Sequence, residues 1–300
     1  MFNKLKYIFQ CKKGINELKK LKKKYKDYLF IVVEHGIGDI CIGLAYYSEW
    51  LNKHATEKHK LIIVQDKKYL IKDYNIELSN VLYVSYSMIH NMNTAICSPY
   101  FRRIVKHWVN AGWLIPLCPR FFIGHDFLLD IPNLSAQKII KYSAYHLDIS
   151  ARQSFPTVSY KYNGTIKTPF IIINPYSYSV NIPQAFFVNI ADKLKGRGIT
   201  VYTNLALNQE PIEGTESLCI SPEELLFLAK EAKCIISVRS GILDYIISNS
   251  KNIIAIYNNE QFMTLYSLKA WECNCNIREY IYSDDLNIDL IVDEAMKYEI

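Results

Sequence analysis

The apolar positions of this 300-residue chain change period near residue 28. Before it, Phe2, Leu5, Ile8, Phe9, Ile15, Leu18 and Leu21 recur mostly at steps of three and four, the spacing of one face of a helix. After it, Tyr28-Leu29-Phe30-Ile31-Val32-Val33 is a continuous apolar run, of the kind buried on both faces of a parallel sheet. The run stops at the turn Glu34-His35-Gly36-Ile37-Gly38-Asp39. A helix over residues 40–52 follows, then strands over 61–64 and 80–84. Strand, helix, strand in this order predicts right-handed βαβ units and a doubly wound sheet.

The middle of the chain is less periodic. Residues 102–113 read as a helix, 120–123 as a strand and 138–147 as a helix. Residues 154–168, with Pro156 and Asn163-Gly164, read as a connection between domains. The strand pattern then restarts. Phe170-Ile171-Ile172-Ile173 is a buried strand stopped by Asn174-Pro175, and residues 183–195 form a helix closed by Gly196 or Gly198. Strands follow at 199–202, 234–238 and 253–257. Ser221-Pro222-Glu223-Glu224 opens a helix, with serine as cap, proline at the first helical position and acids in the first turn. Helices over 242–250 and 286–296 complete the half. The division expected is a basic helix at 1–26, a Rossmann-like domain at 27–165, a second at 166–285, and a closing helix at 286–300. The fold class is α/β, with two doubly wound domains facing a cleft.

Charge sharpens the first element. Residues 1–26 hold ten lysines and one glutamate, or +9, and the remaining 25 basic and 28 acidic residues give −3. Basic character confined to one segment argues against a nucleic-acid surface. An amphipathic lysine-rich helix has two readings, a solvated element packed on the first domain or a peripheral contact with an anionic membrane. No run reaches the roughly 18–20 apolar residues of a membrane span, and the start lacks a secretory signal. A cytoplasmic chain, at most peripheral on the inner face of the membrane, is expected. The eight cysteines are scattered, and Cys273 and Cys275 form the one close pair, so free thiols are expected rather than a metal site.

Three turns are candidates for chemistry. In the first, Gly36 and Gly38 let the backbone approach a ligand at a helix start. Cys41 stands where a dinucleotide fingerprint would have its third glycine. Asp39 has two readings: a carboxylate that takes the proton of an acceptor hydroxyl, or a helix cap. In the second turn, Ser240 and Gly241 offer a hydroxyl and amides to a diphosphate, and Arg239 offers a fork to the same charge. Asp244 either orients Arg239 or holds a sugar hydroxyl, and the alternative is a plain Arg239–Asp244 pair. The third, weaker turn carries Asn174, Tyr176 and Ser177, with Thr203 and Asn204 at the end of the next strand, where a nucleoside would lie. No Asp-x-Asp occurs, so no metal-bridged donor is expected and no cofactor beyond the donor itself. His125, Asp126 and His146 read as structural. Arg102, Arg103, Lys106 and His107 make a basic helical turn, either solvated or facing an acidic acceptor.

Gly38-Asp39 after the first strand, Ile173-Asn174-Pro175, and Leu225-Leu226-Phe227-Leu228-Ala229 leading to Arg239-Ser240-Gly241 together resemble the ADP-heptose lipopolysaccharide heptosyltransferases, of GT-B fold. The resemblance covers residues 29–50 and 170–258 and departs at Arg239, where the family is acidic, and near Asp244, where it has histidine. It implies a nucleotide-sugar donor, a lipopolysaccharide, O-antigen or capsule acceptor (a glycan or lipid-linked one), Asp39 as base, and a hexosyl- or heptosyltransferase-like activity. The alternatives weighed are a nucleotide-sugar epimerase and a non-catalytic protein of polysaccharide assembly.

Overall fold

The computed structural model describes residues 2–54, 57–117, 135–140 and 153–297. Contacts divide the chain into two units, Met1–Phe155 and Pro156–Ile300. The division falls earlier than the 165/166 junction read from the sequence. Residues 156–168 carry hardly any regular structure and fasten onto the second unit instead. Asn249 Nδ2 donates to the Pro156 carbonyl (3.1 Å), and the Lys167 amide donates to Tyr202 Oη (3.1 Å).

The first unit opens with helix α1 (Phe2–Lys24), which packs along α5 (Tyr86–Ile96). Strands β1 (Leu29–Val33), β2 (His59–Val64), β3 (Val81–Val84) and β4 (Leu114–Leu117) form one sheet of order β3-β2-β1-β4, every pairing parallel. Helices α2 (Ile37–Leu44), α3 (Tyr47–Lys53), α4 (Tyr69–Asp73) and α6 (Arg102–Asn110) complete the labelled elements. The single helix read over 40–52 is thus two, interrupted at Ala45 and Tyr46. The glycine that lets α2 close on the sheet is Gly43, where a Cβ would stand 3.0 Å from the Leu117 carbonyl. Residues 136–140 are helical, while the strand read at 120–123, the rest of the 138–147 helix, His125, Asp126 and His146 lie outside the described residues.

The apolar stripe of α1 does not form one face. Cys11, Ile15, Leu18 and Leu21 are buried, whereas Leu5 and Phe9 are exposed. Contact with α5 is close because Gly14 lacks a side chain; a Cβ there would collide with the Asn91 carbonyl. Among the described residues no helix is long and apolar enough to cross a membrane.

The second unit is the more regular. Its strands are β5 (Phe170–Asn174), β6 (Thr200–Asn204), β7 (Glu216–Leu218), β8 (Cys234–Val238), β9 (Asn252–Tyr257) and β10 (Asn276–Ile281). They form an all-parallel sheet of order β10-β9-β8-β5-β6-β7. Every residue of β5, β8 and β9 is buried, as expected where helices cover both faces. Helices α7 (Gln184–Gly196), α8 (Pro222–Glu231), α9 (Gly241–Ile246), α10 (Glu260–Tyr266) and α11 (Ile288–Met296) connect and cover it. Ile171, Ile173, Phe187, Leu194, Ile236, Ile256 and Ile291 lie in its continuous core. The cap read from Ser221 is a full capping box. Its hydroxyl accepts from the Glu224 amide (3.2 Å), and Glu224 Oε2 accepts from the Ser221 amide (2.8 Å).

Candidate functional site

Renumbering the strands of the second unit from β5 gives the order 3-2-1-4-5-6, the arrangement of dinucleotide-binding sheets. In such a sheet the chain leaves the first strand in one direction and returns on its other side. Loops therefore diverge above the carboxyl ends of β5 and β8, and a crevice opens there. Asn174 and Ser237 are register partners at that place.

Asn174 ends β5 with 4% of its surface exposed, yet neither its Oδ1 nor its Nδ2 has a hydrogen-bond partner among the described residues. Burying an amide without partners costs free energy, so native structures rarely retain one without a reason. Ser240, the residue before α9, repeats the anomaly: its Oγ is buried and unpartnered, and it makes no capping bond. The two groups flank the switch point.

Asn174 also borders a cavity of about 290 Å³ between the ends of β5 and β6 and the start of α8. Ile220, Leu225 and Ile242 supply apolar wall, and Asn174, Asn204 and Gln209 supply amides. Among the described residues, no charged side chain lines it. Gln209 is held in place, its Oε1 accepting from the Ala206 amide (2.8 Å).

The other residues singled out in this half hold the loops. Tyr176 lines the cavity, and its hydroxyl donates to the Glu210 carbonyl (2.6 Å) and accepts from Gln184 (2.8 Å). Ser177 Oγ donates to the Arg239 carbonyl (3.1 Å), tying the turn after β5 to the turn after β8. Thr203 is fully buried; its hydroxyl lies 2.6 Å from that of Thr215 and accepts from the Ile212 amide (3.2 Å). It does not line the cavity, whereas its neighbour Asn204 does.

Arg239 and Asp244 take the paired reading. Their side chains are 6% and 3% exposed and meet at 2.8 Å through Arg239 Nη2 and Asp244 Oδ1. The remaining guanidinium bonds run to backbone: Nε to the Tyr266 carbonyl (2.7 Å) and Nη1 to the Ser240 carbonyl (2.6 Å). Trp271 Nε1 donates to the same Asp244 oxygen (2.9 Å). Next to this network, Tyr257 donates to Glu279 Oε1 (2.6 Å), and burial pushes its phenol well above the ordinary range. The fork expected to meet a diphosphate is thus a buried brace of the turn that carries Ser240 and Gly241. An arginine after a run of apolar residues must find partners, and these are local.

In the first unit the turn after β1 gathers titratable groups. Asp39 is the third residue of α2, whose cap is Gly36, so Asp39 is not itself the cap. Its carboxylate folds back over Gly36, where a Cβ would stand 3.0 Å from Oδ2. Gly36 thus keeps open the space that this carboxylate uses, and Gly38 is buried within α2.

Sequence reasoning overlooked Glu34, which is fully buried at the end of β1. Its Oε2 accepts from Asn93 Nδ2 (3.0 Å) and stands 2.9 Å from His35 Nδ1. The His35 ring meets the edges of Tyr86 (5.0 Å) and His90 (5.4 Å), which stack on each other along α5. The signal in the sequence was a carboxylate at the end of an unbroken apolar strand; its partner Asn93 lies on an element far along the chain.

The described cysteines are all free, and burial pushes the Cys234 thiol up to about 12 and that of Cys275 higher still. Among the described residues, no three His, Cys, Asp or Glu side chains are grouped as metal ligands.

No protein-family model matches the chain, and no curated protein matches it in sequence. Solved structures do match. The E. coli heptosyltransferase WaaC with ADP aligns at a TM-score of 0.56 and 13% identity, over 89% of this chain and 98% of that one. The E. coli ADP-heptose lipopolysaccharide heptosyltransferase II aligns at 0.57 and 12%, over 89% and 97%. A family 9 glycosyl transferase from Veillonella parvula aligns at 0.55 and 14%, over 91% and 92%. At such identities the likeness is one of fold: this chain has the two-sheet α/β architecture of the GT-B glycosyltransferases.

Proposed function

We propose that the chain is a glycosyltransferase that binds a nucleotide-sugar in its second unit and moves the sugar to a hydroxyl of a surface glycan, of lipopolysaccharide, O-antigen or capsule type. The observation that carries this reading is the buried, unpartnered Asn174 at the switch point, on the edge of a neutral cavity of about 290 Å³. Apolar walls with a few fixed amides suit a flat heterocycle such as a nucleobase better than a phosphate. In this reading the base enters the cavity, and the diphosphate lies along the turn where Ser240 Oγ waits for a partner. Arg239 and Asp244 act as positioning residues that hold this turn. The reading involves no metal step.

Transfer then proceeds by displacement. The acceptor oxygen forms a bond to the anomeric carbon as the bond from that carbon to the phosphate oxygen breaks, and the electron pair leaves with the diphosphate. Asp39, with its carboxylate over Gly36, takes the acceptor's hydroxyl proton. The structural neighbours support a nucleotide-sugar donor, since one of them was solved with ADP.

Calorimetric titration with ADP, UDP, GDP and CMP tests the donor half. One of them binds, and Asn174→Ala weakens that binding roughly ten-fold or more, because a buried amide that hydrogen-bonds ligand is lost. Nucleotide release from the matching sugar, with and without glycan acceptor, tests the transfer. Asp39→Asn is expected to cut acceptor-dependent release about 100-fold while sparing nucleotide binding. Failure of all four nucleotides to bind, or binding indifferent to Asn174→Ala, removes the basis of the proposal.

A further inference from the structure

Helix α1 has more charge and more apolar surface than its packing requires. Its inner side is complete: Cys11, Ile15 and Leu18 are buried, Cys11 Sγ reaches the Thr94 carbonyl (3.7 Å), and Gly14 brings the backbone against α5. On the outer side Leu5 is 60% and Phe9 61% exposed, one helical turn apart. Exposed Lys4, Lys6, Lys12 and Lys13 surround them, with Lys13 Nζ 4.9 Å from the Phe9 ring centre. The one acid of this segment, Glu17, is half-buried, and burial pushes its carboxyl up.

Tertiary structure adds a second basic element at the same end of the helix. Tyr100, half-exposed, meets Tyr7 edge to face (6.2 Å) and lies beneath Lys4 Nζ (5.8 Å). Directly after it, α6 presents Arg102, Arg103, Ile104 and Lys106 to solvent. The basic turn noted in the sequence thus follows a residue that touches the basic helix at Lys4 and Tyr7.

We propose that the outer side of α1 docks on an anionic lipid bilayer. Its lysines attract the phosphate headgroups, and Leu5 and Phe9 enter the boundary between headgroups and acyl chains. A bilayer rewards both components at once. A nucleic acid would reward the lysines but not the burial of Leu5, and solvation alone would reward neither apolar side chain.

Co-sedimentation of the full chain with phosphatidylglycerol-rich and with phosphatidylcholine vesicles tests the proposal. The chain pellets with the first and not the second, and added salt releases it. Leu5→Glu combined with Phe9→Glu weakens binding about ten-fold or more. Lys12→Gln and Lys13→Gln weaken it about five-fold each. The outer positions are mostly exposed, so thermal unfolding of these variants is expected to stay close to that of the parent. Overturning results are no binding by the parent chain, undiminished binding by the Leu5/Phe9 variant, or binding to single-stranded RNA that equals vesicle binding and ignores that variant. Nucleotide titration of the same variant keeps the two proposals apart, since lipid docking stands or falls without regard to donor binding.

Discussion

The first strands of the two units begin alike and end differently. Each is five residues long, buried throughout, and followed by a loop and a helix. In the first, the polar group at the strand end is Glu34, fully buried and provided with Asn93 and His35. In the second it is Asn174, almost as buried and left with neither amide atom bonded. The carboxylate of the first has its donors in the free protein, with His35 Nδ1 and Asn93 Oδ1 beside it unpartnered among the described residues, whereas in the second neither polar side-chain atom is bonded among them. The comparison teaches that burial does not by itself mark a ligand position; in the proposed function it is the side chain bonded at neither polar atom that takes the ligand.

Three substitutions would break or sharpen this contrast. The largest effect is expected at the brace of the second turn. Arg239→Ala leaves the buried Asp244 without its cation, with Trp271 Nε1 still donating to it, and should lower stability in urea titration by about 3–5 kcal/mol. A loss under 1 kcal/mol would mean that the pair is not a structural brace and would return Arg239 to the candidates for phosphate contact. Next comes Glu34→Ala. It strips the Asn93 amide and the His35 backbone N–H of a buried acceptor, and a loss of about 2 kcal/mol is expected from the same measurement. The smallest and most telling is Asn174→Ala. Having no bonds to lose, it should leave the free protein as stable or up to about 1 kcal/mol more so, while nucleotide binding falls. If Asn174→Ala destabilises as much as Glu34→Ala does, the two strand ends are equivalent and the argument for an incomplete site fails.

Some of this was legible beforehand. The runs at Leu29–Val33, Phe170–Asn174 and Cys234–Val238 are long, apolar and bounded by turn residues, and each is a strand. Ser221-Pro222-Glu223-Glu224 has every chemical part of a capping box, and it is one. Three strands escaped notice for a common reason. The edge strand β7 buries only Leu218, and β10, also at an edge, carries Asn276, Arg278 and Glu279, so neither has the apolar run of a central strand. The four-residue β4 holds Pro116, which reads as a break, yet it lies at the sheet edge, where a proline is tolerated.

The candidate sites divide along the same line. Asp39, Asn174, Asn204, Ser240 and Gly241 were picked because strand ends and turns are local features, and local features are written in consecutive residues. Whether Arg239 meets a ligand or Asp244, and whether Thr203 faces a cavity or Thr215, depends on groups brought in from other elements. Glu34 acquires Asn93 from α5, 59 residues further along the chain, and α1 divides its apolar residues between α5 and solvent.

Sequence alone determined the elements, their parallel arrangement and the places where chemistry was possible, because hydrophobic period and turn residues act over a few neighbours. Only the tertiary structure decided which polar groups are satisfied and which are left waiting. That is a matter of three-dimensional partners, and a hydrogen bond between residues 60 positions apart leaves no mark on the pattern of either.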